Sequence, residues 1–189
     1  MMTGQESSLA DKCLIATPAI QDGLFAASLV YICEHNTDGS MGLVVNQQTT
    51  QVLNDIFSQL NISCEDPSIQ NQPVYLGGPV KIEQGFVLHS NDGRWQGTVD
   101  ISDEIKLTSS LDILEDIAGQ RGPKHYLVTL GFSGWAPGQL ESELQQNSWL
   151  TSNSSPDLLF DVEPDMRWQK AFDSLGFDIS NLSPVSGNA

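Results

Sequence analysis

The chain has 189 residues, with 24 acidic side chains against eight basic ones and a formal charge of −16 at neutral pH. That length fits one domain that buries roughly 70% of its unfolded surface without a disulfide or metal. The acidic excess excludes a general nucleic-acid binder, which needs a Lys/Arg footprint to neutralise phosphate; here the basic groups come only in pairs, such as Arg121 with Lys124 and Arg167 with Lys170.

The first ten residues are polar and small and are predicted to be flexible, ahead of a single domain over 11–182 and a C-terminal tail over 183–189. They lack the continuous apolar core of a signal peptide. The longest low-polarity stretch, residues 23–33, is about half the ~20 residues that span a bilayer, so no membrane segment is predicted. The three cysteines are odd in number, and Cys13 and Cys33 sit in apolar runs. Both features point to reduced thiols and a cytoplasmic location.

Cys13 to Ala16 reads as a strand stopped by Pro18, Asp22 to Ala27 as a turn, and Leu29 to Cys33 as a β-rich run. Asp38-Gly39 carries a hairpin signal that returns the chain through Met41 to Asn46. Thr50 is the predicted N-cap of a helix whose apolar residues Val52, Leu53, Ile56, Phe57 and Leu60 recur at helical spacing and which Asn61 ends. Residues 61–72 read as a surface loop, Val74 to Leu76 as a strand broken by Gly77-Gly78-Pro79, and Gly85 to His89 as a strand that Asn91-Asp92-Gly93 turns back.

Alternation at Val99, Ile101, Ile105 and Leu107 predicts strands wet on one face. Ser109 and Asp112 form a capping-box variant for a helix that Gly119 terminates. Tyr126 to Leu130 reads as a core strand, Gly131 to Gly138 as a glycine-rich turn, and the residues after Pro137 as a helix. Leu158-Leu159-Phe160 is a predicted final strand and Pro164 to Leu175 a last helix. Hairpins outnumber crossover units, so the predicted fold is α+β, a curved mixed sheet with hairpins and about four helices.

Chemistry-bearing residues concentrate in two segments. Glu34-His35-Asn36 ends one strand, with Asn46 across its hairpin; these groups either cap turns or bind a small polar ligand. Trp135 sits on the glycine-rich corner, where it either plugs the core or walls a ligand cleft. Cys33 and His35, two apart, are predicted on one face of a strand, although zinc would need two further donors. Gly131-Phe132-Ser133-Gly134-Trp135 invites comparison with a Gly-x-Ser-x-Gly nucleophile elbow, but Trp135 occupies the last glycine and no histidine follows Ser133. Gly77-Gly78-Pro79 lacks the Lys-Ser/Thr of a phosphate loop, so no cofactor is predicted.

Several blocks, taken together and in order, resemble the YqgE/AlgH family of bacterial proteins: Leu14 to Pro18, Val30 to Asn36, Met41 to Asn46, Leu76 to Pro79, Gly85 to His89, Gly131 to Leu140 and Asn147 to Leu150. The resemblance implies an α+β fold around a strongly curved mixed sheet. It carries the label of a transcriptional regulator of exopolysaccharide genes, with no recognisable DNA-binding motif, and it implies no particular activity. Relatives often have a basic residue and Pro where this chain has Gln47-Gln48, and Gly-His-Ala where it ends Gly187-Asn188-Ala189. No anion site built on those basic groups carries over.

The functional expectation is therefore a binding or regulatory protein rather than an enzyme, its partner an unidentified protein or small molecule, with no direct nucleic-acid binding. The candidate binding residues are Glu34, His35, Asn36, Asn46, Ser133, Trp135 and Gln139. The alternative is a hydrolase or other enzyme with a cleft near Ser133 and His35.

Overall fold

The computed structural model describes residues 7–21 and 23–176. The predicted N-terminal flexibility and the turn beginning at Asp22 fall partly outside those residues, and the domain end at 182 and the C-terminal tail wholly so. In chain order the elements are β1 (Lys12–Ala16), β2 (Leu29–Asn36), β3 (Gly39–Val44), β4 (Gln48–Val52), α1 (Leu53–Gln59), α2 (Pro67–Gln70), β5 (Pro73–Leu76) and β6 (Val80–Ser90). There follow β7 (Val99–Asp100), β8 (Ile105–Thr108), α3 (Leu111–Ala118), β9 (Tyr126–Trp135), α4 (Gln139–Gln145), β10 (Trp149–Asn153), a π-helical turn (Asp157–Asp161) and α5 (Pro164–Asp173).

Strand β9 is the spine of a curled sheet ordered β10-β1-β2-β3-β9-β6-β8-β7. Its first half lies between β5, parallel to it, and β6, antiparallel. Its last residues pair instead with β3, Ser40 opposite Trp135 and Gly42 opposite Ser133. The changeover falls at Gly131, whose φ of 70° is open to glycine and whose Cβ, were there one, would meet the Gly78 carbonyl. The fold is thus α+β on a curved mixed sheet, with β5/β9 its parallel pair.

Both faces of this sheet are covered, which is why its strands read as continuous apolar runs. Along β1 and β2, Cys13, Ile15, Leu29, Tyr31 and Cys33 face an inner core closed by the π-helical turn and α5. Leu14, Ala16, Val30 and Ile32 alternate with them and face a second core beneath α4. Helices α1 and α3 cover the outer face of β5, β6 and β9 through Leu53, Phe57, Ile113 and Ile117. In the inner core burial pushes the Cys13 thiol up to about 12 and raises Cys33 and Tyr31 as well. The Tyr31 hydroxyl donates to Asp11 Oδ1 at 2.8 Å.

Several local expectations are corrected. The glycine-rich segment from Gly131 is not a turn: β9 runs through it to Trp135, and the chain reverses only at residues 136–138; Pro137, predicted in the first helical turn, lies before Gly138 (φ 76°), the N-cap of α4. Leu158-Leu159-Phe160 is the π-helical turn, not a strand. Trp149–Asn153, where no strand is predicted from the sequence, is the strand that pairs with β1.

Further along, residues 61–72 contain α2, begun by Pro67 and capped by the Asp66 carboxylate on the Ser68 N–H. Thr50 lies in β4, and α1 begins after Val52, whose N–H donates to Asp55. Ser110, not Ser109, is the N-cap of α3. Asn91-Asp92-Gly93 does not close a hairpin; the chain loops out through Trp95 before β8 pairs with β6. Residue pairing places Thr37 and Asp38 in the β2/β3 loop, and Gly39 begins β3. Among the described residues the α-helices number five, with the π-helical turn besides, where about four were predicted.

Candidate functional site

The two segments singled out in the sequence meet where β2, β3 and the end of β9 lie side by side under α4. In strict alternation His35 would share a face with Cys33 and point into the inner core. A β-bulge between Ile32 and Glu34 shifts the register, so that Glu34 faces Met41 and His35 faces Ser40. His35 is thereby turned towards α4, while Cys33 stays in the inner core. The predicted same-face pairing of Cys33 and His35 is overturned by that bulge.

His35, Ser40 and Trp135 then form one row across three strands. Ser40 Oγ lies 2.7 Å from His35 Nδ1, and Glu141 Oε1, from the first turn of α4, lies 3.4 Å from Nε2. Gly39 makes the close approach of hairpin and β9 possible: a Cβ there would collide with the Trp135 carbonyl.

The Trp135 ring is buried, 7% exposed, and its indole N–H donates to Glu143 Oε2 at 3.0 Å. The Trp149 indole donates to the same oxygen at 2.8 Å. Gln139 Nε2 donates to Glu143 Oε1 at 2.9 Å, and Gln139 Oε1 accepts the Ala136 N–H, fixing the chain reversal into α4. One carboxylate thus holds two indoles and a helix-starting amide. Phe25 meets Trp149 edge-to-face at 5.8 Å, and Trp149 meets Trp135 likewise at 6.1 Å. Between these rings and α4 a cavity of about 370 Å³ opens, bounded also by Ile20, Gln146 and Ser148.

The remaining predicted residues divide. Gln139 and Trp135 border this cavity. Asn36 is a turn cap, with its amide on Glu34 Oε1 and its oxygen accepting the Asp38 N–H, both at 2.8 Å. Ser133 is fully buried and donates to the Gly77 carbonyl at 3.0 Å, two residue pairs inward from the row that holds His35. Its proton is committed, so the serine facing His35 is Ser40. Asn46 is not gathered with His35: it follows β3 at the opposite end of the hairpin, where it accepts the Leu29 N–H and donates to the Ala27 carbonyl.

Sequence reasoning missed Ser40, Phe25, Glu141, Glu143 and Trp149. A signal for Glu143 was present, since Gln139 and Glu143 stand four apart on a helix and share a face. None marked the bulge, and without it Ser40 and Glu141 could not be placed beside His35.

Comparison with known proteins agrees with this architecture. The family model described as AlgH-like (DUF179) matches residues 13–180. UPF0301 proteins of Nitrosospira multiformis and Nitrosomonas eutropha are 45% and 46% identical over 185 residues, covering 98% of this chain and 100% of each relative. The solution structure of the AlgH protein from Pseudomonas aeruginosa matches with a TM-score of 0.80 and 37% identity over 100% of both chains. The crystal structure of DIP2367 from Corynebacterium diphtheriae, 18% identical, matches at a TM-score of 0.73 over 97% of this chain and 95% of its own, a likeness of fold alone. No helix among the described residues is long and apolar enough to cross a membrane. On the family match and these identities, the chain belongs to the AlgH-like UPF0301 family.

Proposed function

We propose that the protein is a binding protein whose site is the aromatic cavity beneath α4. The observation that carries this reading is the single Glu143 carboxylate holding the Trp135 and Trp149 indoles beside about 370 Å³ of open space. A concave pocket walled in part by aromatic rings, with a few oriented polar groups, is the usual form of a small-molecule site. Any regulatory role of the kind the family label names is then exerted through a ligand or protein partner. The charge of −16 opposes direct contact with DNA, and purified protein gives no sequence-specific gel shift at physiological salt on this reading. Three free cysteines suit a reducing, cytoplasmic setting.

The test is a fragment screen by NMR using neutral, anionic and cationic compounds, following the indole N–H signals of Trp135 and Trp149. Hits should move those signals and lose affinity in Phe25→Ala, which alters a half-buried ring at the cavity wall. A screen in which no compound moves either signal removes the reading.

A second reading is favoured by the Ser40–His35–Glu141 row, because hydroxyl, imidazole and carboxylate in series can activate a serine. Ser40 is only 9% exposed, so binding is preferred over catalysis. Labelling of Ser40 by a fluorophosphonate probe, lost in His35→Ala, would reverse that preference.

A further inference from the structure

We infer that the cavity beneath α4 takes an organic cation, specifically a quaternary ammonium group of a small free molecule. The inference rests on the reading of this cavity as a binding site and names the chemistry of its ligand. Three aromatic rings from separate parts of the chain face it: Phe25 before β2, Trp135 at the end of β9 and Trp149 at the start of β10. Successive rings are nearly perpendicular, at 82° and 77°, so they form walls of a box rather than a stack. Such boxes attract cations through the negative faces of the rings, most strongly with Trp.

Charge selects in the same direction. Glu143 lines the cavity, and no Lys, Arg or His among the described residues does. Helix α4 adds Glu141 and carries no basic residue. An anion would meet uncompensated repulsion, and a neutral apolar ligand would use the rings while leaving the carboxylate without a counter-charge. A cation satisfies both.

The hydrogen bonds narrow the class further. A carboxylate offers about four lone-pair sites, and three on Glu143 are taken, by the two indoles and the Gln139 amide. Little acceptor capacity remains for the N–H groups of a primary ammonium, which would enter the cavity with donors unpaired. A quaternary ammonium has no donors to satisfy. It is held by charge and by its methyl groups against the rings.

The test is a titration of the full chain with choline, its neutral isostere 3,3-dimethylbutan-1-ol and the primary amine ethanolamine, following the indole N–H signals of Trp135 and Trp149. Choline should bind saturably and at least ten-fold more tightly than either of the others. Phe25→Leu, which keeps an apolar side chain and removes the ring, should weaken choline about ten-fold, as should Glu143→Gln, which keeps acceptor oxygen and removes the charge. Equal binding of choline and its isostere would overturn the cationic class. Indole signals that move with neutral or anionic fragments but not with choline would also overturn it, leaving the cavity as a binding site; silence with every compound would remove both. Co-sedimentation with phosphatidylcholine vesicles, if choline itself did not bind, would overturn the assignment to a free molecule.

Discussion

Two corners of the sheet are assembled from the same kinds of group. Under α4, His35 shares a proton with Ser40 and the Trp135 indole is tied to Glu143. At the far side, His89 shares one with Thr108 at 2.8 Å, and the Trp95 indole is tied to Asp116 at 2.9 Å. There the resemblance stops. His89 is fully buried, its Nδ1 donates to the Ser90 carbonyl, Trp95 closes over it edge-to-face at 5.2 Å, and Thr108 continues to Thr98. Every polar atom of that imidazole has a protein partner and the tryptophan is its lid. Under α4 the rings meet edge-to-face and border open volume on one side. The difference lies in what the aromatic side chains enclose, protein in one corner and space in the other, and it is that space which makes a site out of otherwise structural contacts.

The largest effect should come from breaking the α4 corner outright. Trp149, 3% exposed, packs on two aromatic neighbours and anchors β10. Trp149→Ala should cost ~3–5 kcal/mol by urea denaturation, as for other buried aromatic truncations. Trp135→Ala should fall in the same range, since Trp135 is both core and cavity wall. A loss below about 1 kcal/mol in either would show that the corner collapses to fill the gap, contrary to a preformed cavity.

A matched pair of hydroxyl deletions sharpens the comparison. Thr108→Val keeps shape but strips His89 and Thr98 of a common partner within a buried network, which should cost about 1–3 kcal/mol. Ser40→Ala releases His35 Nδ1 from a part-buried hydrogen bond while Nε2 keeps Glu141, and should cost less, on the order of 1 kcal/mol. The reverse ranking would mean that the His35 row, rather than the His89 network, is the rigid element.

Much of this architecture was legible in the sequence, because periodicity reports burial directly. The hairpin of β2 and β3, the core strand of β9, and helices α1, α3 and α5 all followed from it. What escaped depends on pairing over long separations. Trp149–Asn153 is half polar and becomes a strand only by docking on β1, more than 130 residues earlier. Leu158-Leu159-Phe160 is a short apolar run, and such runs do not distinguish a buried strand from a buried helical turn. Gly131 looked like a turn glycine because glycines permit turns; here the close approach of Gly78 is the reason for it. At the site, Trp135 and Gln139, both named as candidates from the sequence, border one cavity, whereas the bulge that re-aims His35 has no residue signature.

A smaller effect should follow neutralisation of the two carboxylates that hold the indoles. Glu143→Gln exchanges charge-assisted hydrogen bonds for neutral ones while keeping an acceptor, a loss of about 1 kcal/mol. Asp116→Asn makes the same exchange beneath Trp95, where the carboxylate also meets Arg121 at 3.2 Å in a largely exposed pair worth little. Urea midpoints of the two variants compare the corners directly. A much larger loss at Glu143 would mean that its carboxylate is structurally indispensable to the cavity, and only ligand competition could then read its charge.

The smallest expected effect is a pH dependence in the closed corner. Burial holds the His89 imidazole below its ordinary value of 6.5, with the charges of Lys106 and Arg94 acting in the same direction and Ser90 and Asp92 opposing. The folded protein therefore favours neutral His89, whereas the unfolded chain takes up a proton as pH falls through 6.5. The stability that neutral His89 contributes is fully present above that value and declines below it, until the folded imidazole protonates as well. Urea midpoints of the parent and His89→Gln, measured between pH 7.5 and 5, should converge as pH falls, because only the parent carries this loss while their carboxylates titrate alike. If the difference between the two proteins were constant across the range, burial would not be controlling the protonation of His89, and the sealed character of that corner would lose its energetic basis.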